Sequence, residues 1–303
     1  MKRVLRILLK VIAAVLLIAG MFLGYACYNV HSRMAKTYTV TTPPLDMTPS
    51  ADLLDRGRYL TTHVVICADC HGQNLGGGSM SDDVMFGRLY APNLTSGRGG
   101  IASRYDDQDF ARVLLHGVRK DGHSVVFMPS QDFKLTARDA AAVITYLRSL
   151  PPVDATVPEI RLGPIASALA ASGKLPLLPA ELIDHEHAAF AVEPTATDAV
   201  SKGAHVVQTA GCIGCHTPTF EGGAGPPPGA ANITPVGIGT WTEKDFVTAL
   251  RTHKRPDGTK IADGMPLGLG GMSDEDLSNV FAFLKTLPAK GEKTKHQQHP
   301  ETE

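Results

Sequence analysis

Net charge of either sign is almost absent from this sequence. Its 303 residues carry 29 Lys and Arg against 30 Asp and Glu, a formal net charge of −1. Without a basic surplus there is no electrostatic footprint for a phosphate backbone, so nucleic acid is excluded as a partner. Cysteine is scarce as well: there are five, an odd number. Glycine (30) and proline (21) are plentiful and imply much loop. The length suits about two domains, each able to bury a core.

Four of the five cysteines fall in two copies of one pentapeptide, Cys67-Ala68-Asp69-Cys70-His71 and Cys212-Ile213-Gly214-Cys215-His216, which leaves Cys27 over. C-x-x-C-H is the pattern of covalent c-type haem attachment. Two thiols must add to two vinyl groups of one macrocycle, and two intervening residues wound as a helical turn give the sulfurs that separation. The next residue then lies under the metal, so His71 and His216 are the expected proximal iron ligands. A four-cysteine zinc site would bring the two pairs together. A redox dithiol would need only one pair. Neither explains a His directly after each pair.

Lys2, Arg3, Arg6 and Lys10 precede an apolar run over residues 11–28. That length is near the lower limit for crossing a bilayer, and the basic flank favours N-in, C-out. Residues 1–30 are therefore expected to be a membrane anchor. The alternatives are a cleaved signal sequence at Gly24-Tyr25-Ala26 or a lipidated Cys27. All three put the rest of the chain outside the cytoplasmic membrane, where c-type haem is attached. Residues 31–50, with Pro43, Pro44 and Pro49, read as an extended tether without packed structure.

The remainder repeats. Cys67 and Cys212 stand 145 residues apart, Asn93 and Asn232 139, Arg119 and Arg255 136, Met128-Pro129 and Met265-Pro266 137. The last offset holds into Tyr146-Leu147 against Phe283-Leu284. A slowly drifting offset means one fold twice, with small loop deletions. Each copy reads as three helices, so the fold class is mainly α: an internal repeat after an N-terminal transmembrane helix. The first helix leads into the haem motif and contains Gly57 or Gly203. The middle one starts near Asp106 or Thr242. The last is capped by Thr136 or Ser273, with Leu135 or Met272 as staple and Asp139 or Asp276 at N3, a pattern like a capping box. Tyr146 and Phe283 are expected to pack over the two glycines. The expected units are 51–152, a linker 153–197, 198–289, and a disordered tail 290–303. The linker holds a short helix over 165–172 and is apolar enough to lie across both units.

A haem iron with a proximal His needs a second axial ligand or an open site. Met128 and Met265 recur in register, precede proline, and lie far enough along the chain to reach the opposite face of the ring; they are the expected distal ligands. Met80 and Met85 have no counterpart, and Met272 matches Leu135, which marks it as packing. His116, His123 and His253 are rivals without matching positions. Asn93, Asn232, Arg119 and Arg255 are candidates for hydrogen bonds to haem propionates, or equally turn-forming Asn and solvated Arg. His185 and His187 are the linker's ligand-like pair, most simply read as surface residues.

These stretches, together with Asn232-Ile233-Thr234-Pro235, Ser273-Asp274-Glu275-Asp276-Leu277 and Gly173-Lys174-Leu175-Pro176, resemble membrane-anchored di-haem cytochromes c and the cytochrome c subunits of periplasmic alcohol, gluconate and aldehyde dehydrogenases. The resemblance implies two tandem cytochrome c domains carrying two covalently attached haem c groups. It also implies a chain in the cytoplasmic membrane, with its haem domains facing the periplasm. Such a chain takes electrons from a periplasmic dehydrogenase and passes them to a cytochrome or a terminal oxidase. It is then an electron carrier and not an enzyme; the alternative is a di-haem peroxidase, which needs one open iron. A haem-based sensor ranks last, since no signalling domain is present.

Overall fold

The computed structural model describes residues 2–223 and 229–292. Helix α1, Lys2–Met34, runs past the apolar stretch into a polar last turn with His31 and Arg33. Unbroken by proline and rich in Leu, Ile, Val and Ala, it exposes large apolar side chains from Val4 to Tyr28. Among the described residues it is the one helix long and apolar enough to cross a membrane. At about 1.5 Å per residue it is roughly 50 Å long, which exceeds a hydrocarbon core of about 30 Å.

The expectation of an unpacked tether over 31–50 is corrected. Val30 is buried with Ala170, Leu177 and Leu178. The Arg33 guanidinium donates to Glu181 (Nε–Oε1 3.0 Å) and to the Ala170 carbonyl (3.0 Å). Farther on, Thr37 bridges to His123, and the Tyr38 amide donates to the Gly122 carbonyl at 2.8 Å. Leu45 and Met47 pack on the main core. The segment is extended, as its prolines dictate, but its scattered apolar side chains gain more by burial than a free tether would.

Two helical stretches of similar element order follow. In the first, α2 (Ala51–Tyr59) passes through a wide turn, Leu60–Val64, into α3 (Cys67–His71); then come strands β1 (Gly78–Asp83) and β2 (Gly87–Ala91) and helices α4 (Asp107–His116) and α5 (Ala137–Ser149). Strand β3 (Arg161–Leu162) and helix α6 (Pro164–Ala171) form part of the linker. In the second copy α7 (Ala199–Thr209) leads to α8 (Ile213–His216), α9 (Pro235–Ile238), α10 (Glu243–Thr252), a 3₁₀ turn Leu267–Gly271 and α11 (Asp274–Thr286). The small antiparallel sheet β1-β2-β3 was not anticipated. Its first strand, Gly-Ser-Met-Ser-Asp-Asp, lacks apolar alternation. The hairpin is made instead by Asp83, whose carboxylate accepts from the Met85 and Phe86 amides.

The glycine crossings are found as expected. A Cβ on Gly57 would overlap the Ala142 carbonyl and come 2.9 Å from Tyr146 Cβ. On Gly203 it would overlap the Asn279 carbonyl and come 3.0 Å from Phe283 Cβ. Only a residue without a side chain lets α2 meet α5, and α7 meet α11, at that distance. Leu135 and Met272 are buried staples, each 4% exposed. The full capping boxes, however, sit on the middle helices, between Asp106 and Asp109 and between Thr242 and Asp245. On α5 and α11 the hydroxyl caps the helix, but the Asp carboxylate has a different partner. Asp139 accepts from Arg56 (2.8 and 3.1 Å), and Asp276 accepts from the Tyr59 hydroxyl.

Those carboxylates join the repeats. Tyr59, on α2, reaches Asp276 of α11; at the matching place His205, on α7, lies 3.7 Å from Asp139 of α5. One apolar core runs through both copies. The linker packs on the first copy and on α1: Phe127 N donates to the Leu177 carbonyl (2.8 Å), and Ala191 N to that of Leu135 (2.8 Å). The expected disordered tail begins too early at 290, because Lys290 and Glu292 carbonyls accept from Asn232; residues 293–303 lie outside the described residues.

Candidate haem-attachment sites

Each pentapeptide forms a short helix at the end of a longer one, so its cysteines and histidine fan out over about one turn. His71 and His216 are buried, 8% and 7% exposed. His71 Nδ1–H donates to the Pro92 carbonyl at 2.8 Å, and His216 Nδ1–H donates to the Ala231 carbonyl at 2.8 Å. With Nδ1 carrying the proton, Nε2 keeps its lone pair for a metal. Burial lowers the pKa of both imidazoles, partly offset by those bonds, which keeps them neutral and ready to ligate. Cys67 and Cys212 face packed surroundings that push their thiols up to about 12, while Cys70 and Cys215 reach the surface. Among the described residues none of the four is in a disulfide. The donor set therefore fits a haem held by two thioethers and one imidazole at each motif. Among the described residues no group of three or more His, Cys, Asp or Glu is arranged to hold a metal ion, so the four cysteines do not converge as a zinc site would require.

The carbonyls that orient the histidines were missed from sequence, although a signal was there: each belongs to the residue before a recurring Asn. Asn93 and Asn232 are fully buried. Asn93 Nδ2 donates to the Val153 and Ala155 carbonyls (2.7 and 3.1 Å), and its Oδ1 accepts from Thr95 N and Oγ1 (2.9 and 2.8 Å). Asn232 repeats this with Lys290, Glu292 and Thr234. These side chains serve the chain's own loops, which favours the turn-forming of their two readings. They fix the loop whose preceding carbonyl holds the histidine. Arg119 pairs with Asp121 at 3.2 Å, and Arg255 donates to the Lys260 carbonyl at 2.7 Å.

Met128 and Met265 are half-buried and pack against the shared core. Met128 follows Phe127, which adopts φ 64°, and sits in a turn closed by Ser130 N donating to its carbonyl (2.8 Å). Met265 N donates to the Ala262 carbonyl at 2.9 Å. Met85 lies exposed at the hairpin tip, and Met272 is core. Among the rival histidines, His116 has both ring nitrogens engaged, by His185 Nδ1 (3.2 Å) and the Thr41 carbonyl (3.1 Å). His123 Nδ1 faces Asp121 (3.2 Å), and His253 is the left-handed cap of α10. His185 and His187 do not pair with each other; His187 turns to Asp184 at 2.8 Å.

The loop after each methionine crosses to the other copy's motif. Gly268 approaches Ile66 and Asp69, and His63 Nδ1 lies 3.3 Å from the Gly268 carbonyl. Reciprocally, Asp132 and Phe133 approach Gly211 and Gly214, and Lys134 N donates to the Gln208 carbonyl at 3.1 Å.

Comparison with known proteins agrees with this chemistry. The cytochrome c family profile matches residues 200–288. The chain is 28% identical over 283 residues to the fructose dehydrogenase cytochrome subunit of Gluconobacter japonicus, covering 84% of this chain and 57% of that protein. It is 27% identical over 279 residues to the cytochrome c subunit of alcohol dehydrogenase (quinone) from Gluconacetobacter polyoxogenes, covering 80% and 58%. Against the gluconate 2-dehydrogenase cytochrome c subunit of Pantoea cypripedii it is 26% identical over 278 residues, covering 78% and 60%. The chain thus spans less than two thirds of the length of these relatives. The cysteine pairs and the buried, oriented histidines thus lie in a chain whose residues 200–288 match the cytochrome c family, and which is similar over most of its length to the cytochrome subunits of fructose, alcohol and gluconate dehydrogenases.

Proposed function

We propose that the chain is a membrane-anchored di-haem electron carrier. In this reading residues 51–152 and 198–289 are two cytochrome c domains. Cys67 and Cys70 hold one haem and Cys212 and Cys215 the other; His71 and His216 are the proximal ligands, Met128 and Met265 the distal ones. The observation that carries it is the duplicated hydrogen bond from His71 to Pro92 and from His216 to Ala231, which leaves the same nitrogen of each ring for iron. Each haem supplies a one-electron ferric/ferrous couple, and thioether ligation favours its ferrous form. The Asn-bearing loops hold both imidazoles in orientation, and Met128 and Met265, each before a proline, would supply the second ligand and so close each site to substrates. Two closed sites relay electrons without transforming a molecule. Helix α1, packed by Val30 and Arg33 into the fold, serves as an uncleaved anchor in the cytoplasmic membrane and leaves the haem domains in the periplasm. The relatives support a periplasmic dehydrogenase as electron donor; the acceptor is a cytochrome or a terminal oxidase.

The test is spectroscopic. Purified full-length protein should carry two covalent haems, one after Cys67→Ala with Cys70→Ala. The oxidised protein should show Met–iron charge-transfer absorption from both sites and negligible peroxide turnover. Rapid peroxide reduction or a five-coordinate resting iron would replace the carrier with the peroxidase.

A further inference from the structure

The two haem motifs differ at both spacer positions, and at the second of them in charge: Asp69 stands between the cysteines of the first and Gly214 between those of the second. The loops that cross onto them differ in the complementary way. Asp132 of the first copy aligns with Leu269 of the second. Asp132 is half-buried against the second motif: a Cβ on Gly214 would lie 2.5 Å from its Oδ2 and 2.9 Å from its Cγ. Gln131 Nε2 donates to the same oxygen at 2.9 Å, and Asp132 N donates to the Pro129 carbonyl at 3.0 Å, so the carboxylate is held toward the motif. At the other crossing Asp69 faces Gly268, whose added Cβ would be 3.2 Å from Asp69 Oδ1. Each motif therefore has one carboxylate beside its two spacer residues. At the first the motif supplies it; at the second the other copy does, into room that only a glycine leaves. Among the described residues neither carboxylate has a cation within ion-pair distance. Burial raises both carboxyls' pKa, offset in part by Lys134 and Gln131 at Asp132 and by the Gly268 amide at Asp69.

We propose that Asp132 is the potential-setting carboxylate of the haem held by Cys212, Cys215 and His216, filling from the other repeat the place that Asp69 fills within the first motif. It is a positioning residue in the electrostatic sense: it touches the attachment segment and not the iron. A nearby negative charge stabilises the ferric over the ferrous iron and lowers the potential. The inference rests on the di-haem reading above.

The experiment is spectroelectrochemistry of the full-length protein in detergent at pH 8, following both haems. Met265→His marks the second haem as the component whose potential falls. Asp132→Asn, which keeps the shape, and Asp132→Leu, the residue the other loop carries, should each raise that same component. The expected change is about tenfold in ferrous-to-ferric ratio at fixed electrode potential, or about 59 mV for one electron; at an effective dielectric of about 20, a unit charge several ångströms away carries at least that much. Asp132→Glu should restore most of the wild-type value, and the first haem should move less than the second. An unchanged second potential in both neutral variants, or equal shifts of both haems, overturns the proposal. Failure of the di-haem reading would show differently, as fewer than two haems or missing Met charge-transfer bands in the wild type.

Discussion

Gly203→Ala probes the feature on which the second copy's geometry depends. The added methyl would meet the carbonyl oxygen of Asn279, a backbone atom of α11, and approach Phe283 Cβ to 3.0 Å. Neither neighbour can swing aside as a flexible side-chain end would, so α7 and α11 must separate by about 1 Å to restore ordinary contact, and their interdigitated side chains lose dispersion contacts. Overpacking of this kind costs about 1–3 kcal/mol, and a clash with backbone belongs near the top of that range. Alanine recovers about 1 kcal/mol of helix propensity over glycine. The net expectation is a destabilisation of about 2 kcal/mol. For a unit of this size each kcal/mol shifts the midpoint by about 4–8 °C, so thermal unfolding followed by far-ultraviolet circular dichroism should move down by about 10 °C. Gly57→Ala, against Ala142, should behave alike. An unchanged or raised midpoint in both variants would refute the argument that close helix approach is what requires glycine here.

Two further outcomes are expected. Asn93→Ala removes four buried side-chain hydrogen bonds; at about 1 kcal/mol each, less some relaxation, urea denaturation should show a loss of about 3 kcal/mol, and Asn93→Asp should not rescue it because Nδ2 feeds two carbonyls. The His116–His185 pair should make stability fall on acidification: burial lowers both pKa values below 6.5, so the unfolded chain binds protons that the folded chain resists, and the contribution is complete above about pH 6.5 and lost as pH falls through and below it. Melting curves from pH 7.5 to 5 should therefore be flatter for His116→Gln than for wild type, and parallel slopes would dismiss the pair as the cause.

The sequence by itself determined the two C-x-x-C-H motifs, the helix starts at Asp106, Thr136, Thr242 and Ser273, the glycine crossings, and the apolar N-terminal helix. Each of these is a local or periodic property: a motif of adjacent residues, an N-cap followed by an apolar stripe, or a repeat that aligns one copy on the other. What only the tertiary structure decided depends on partners distant along the chain. Asp139 and Asp276 read as box-closing residues, yet Arg56 and Tyr59 draw them away, because a carboxylate withdrawn from water is better served by a guanidinium or a hydroxyl than by a backbone amide. Asn93 and Asn232 read as possible ligand contacts, yet folding brings them carbonyls some 60 positions onward, and a buried amide must take the partners that burial offers. The tether was legible as extended but not as packed, since its few apolar side chains acquire a surface only once α6 and the linker assemble. Asp132 was silent for the same reason. Nothing near it in sequence is a haem motif, and only the crossing of the two copies carries its carboxylate to Gly214.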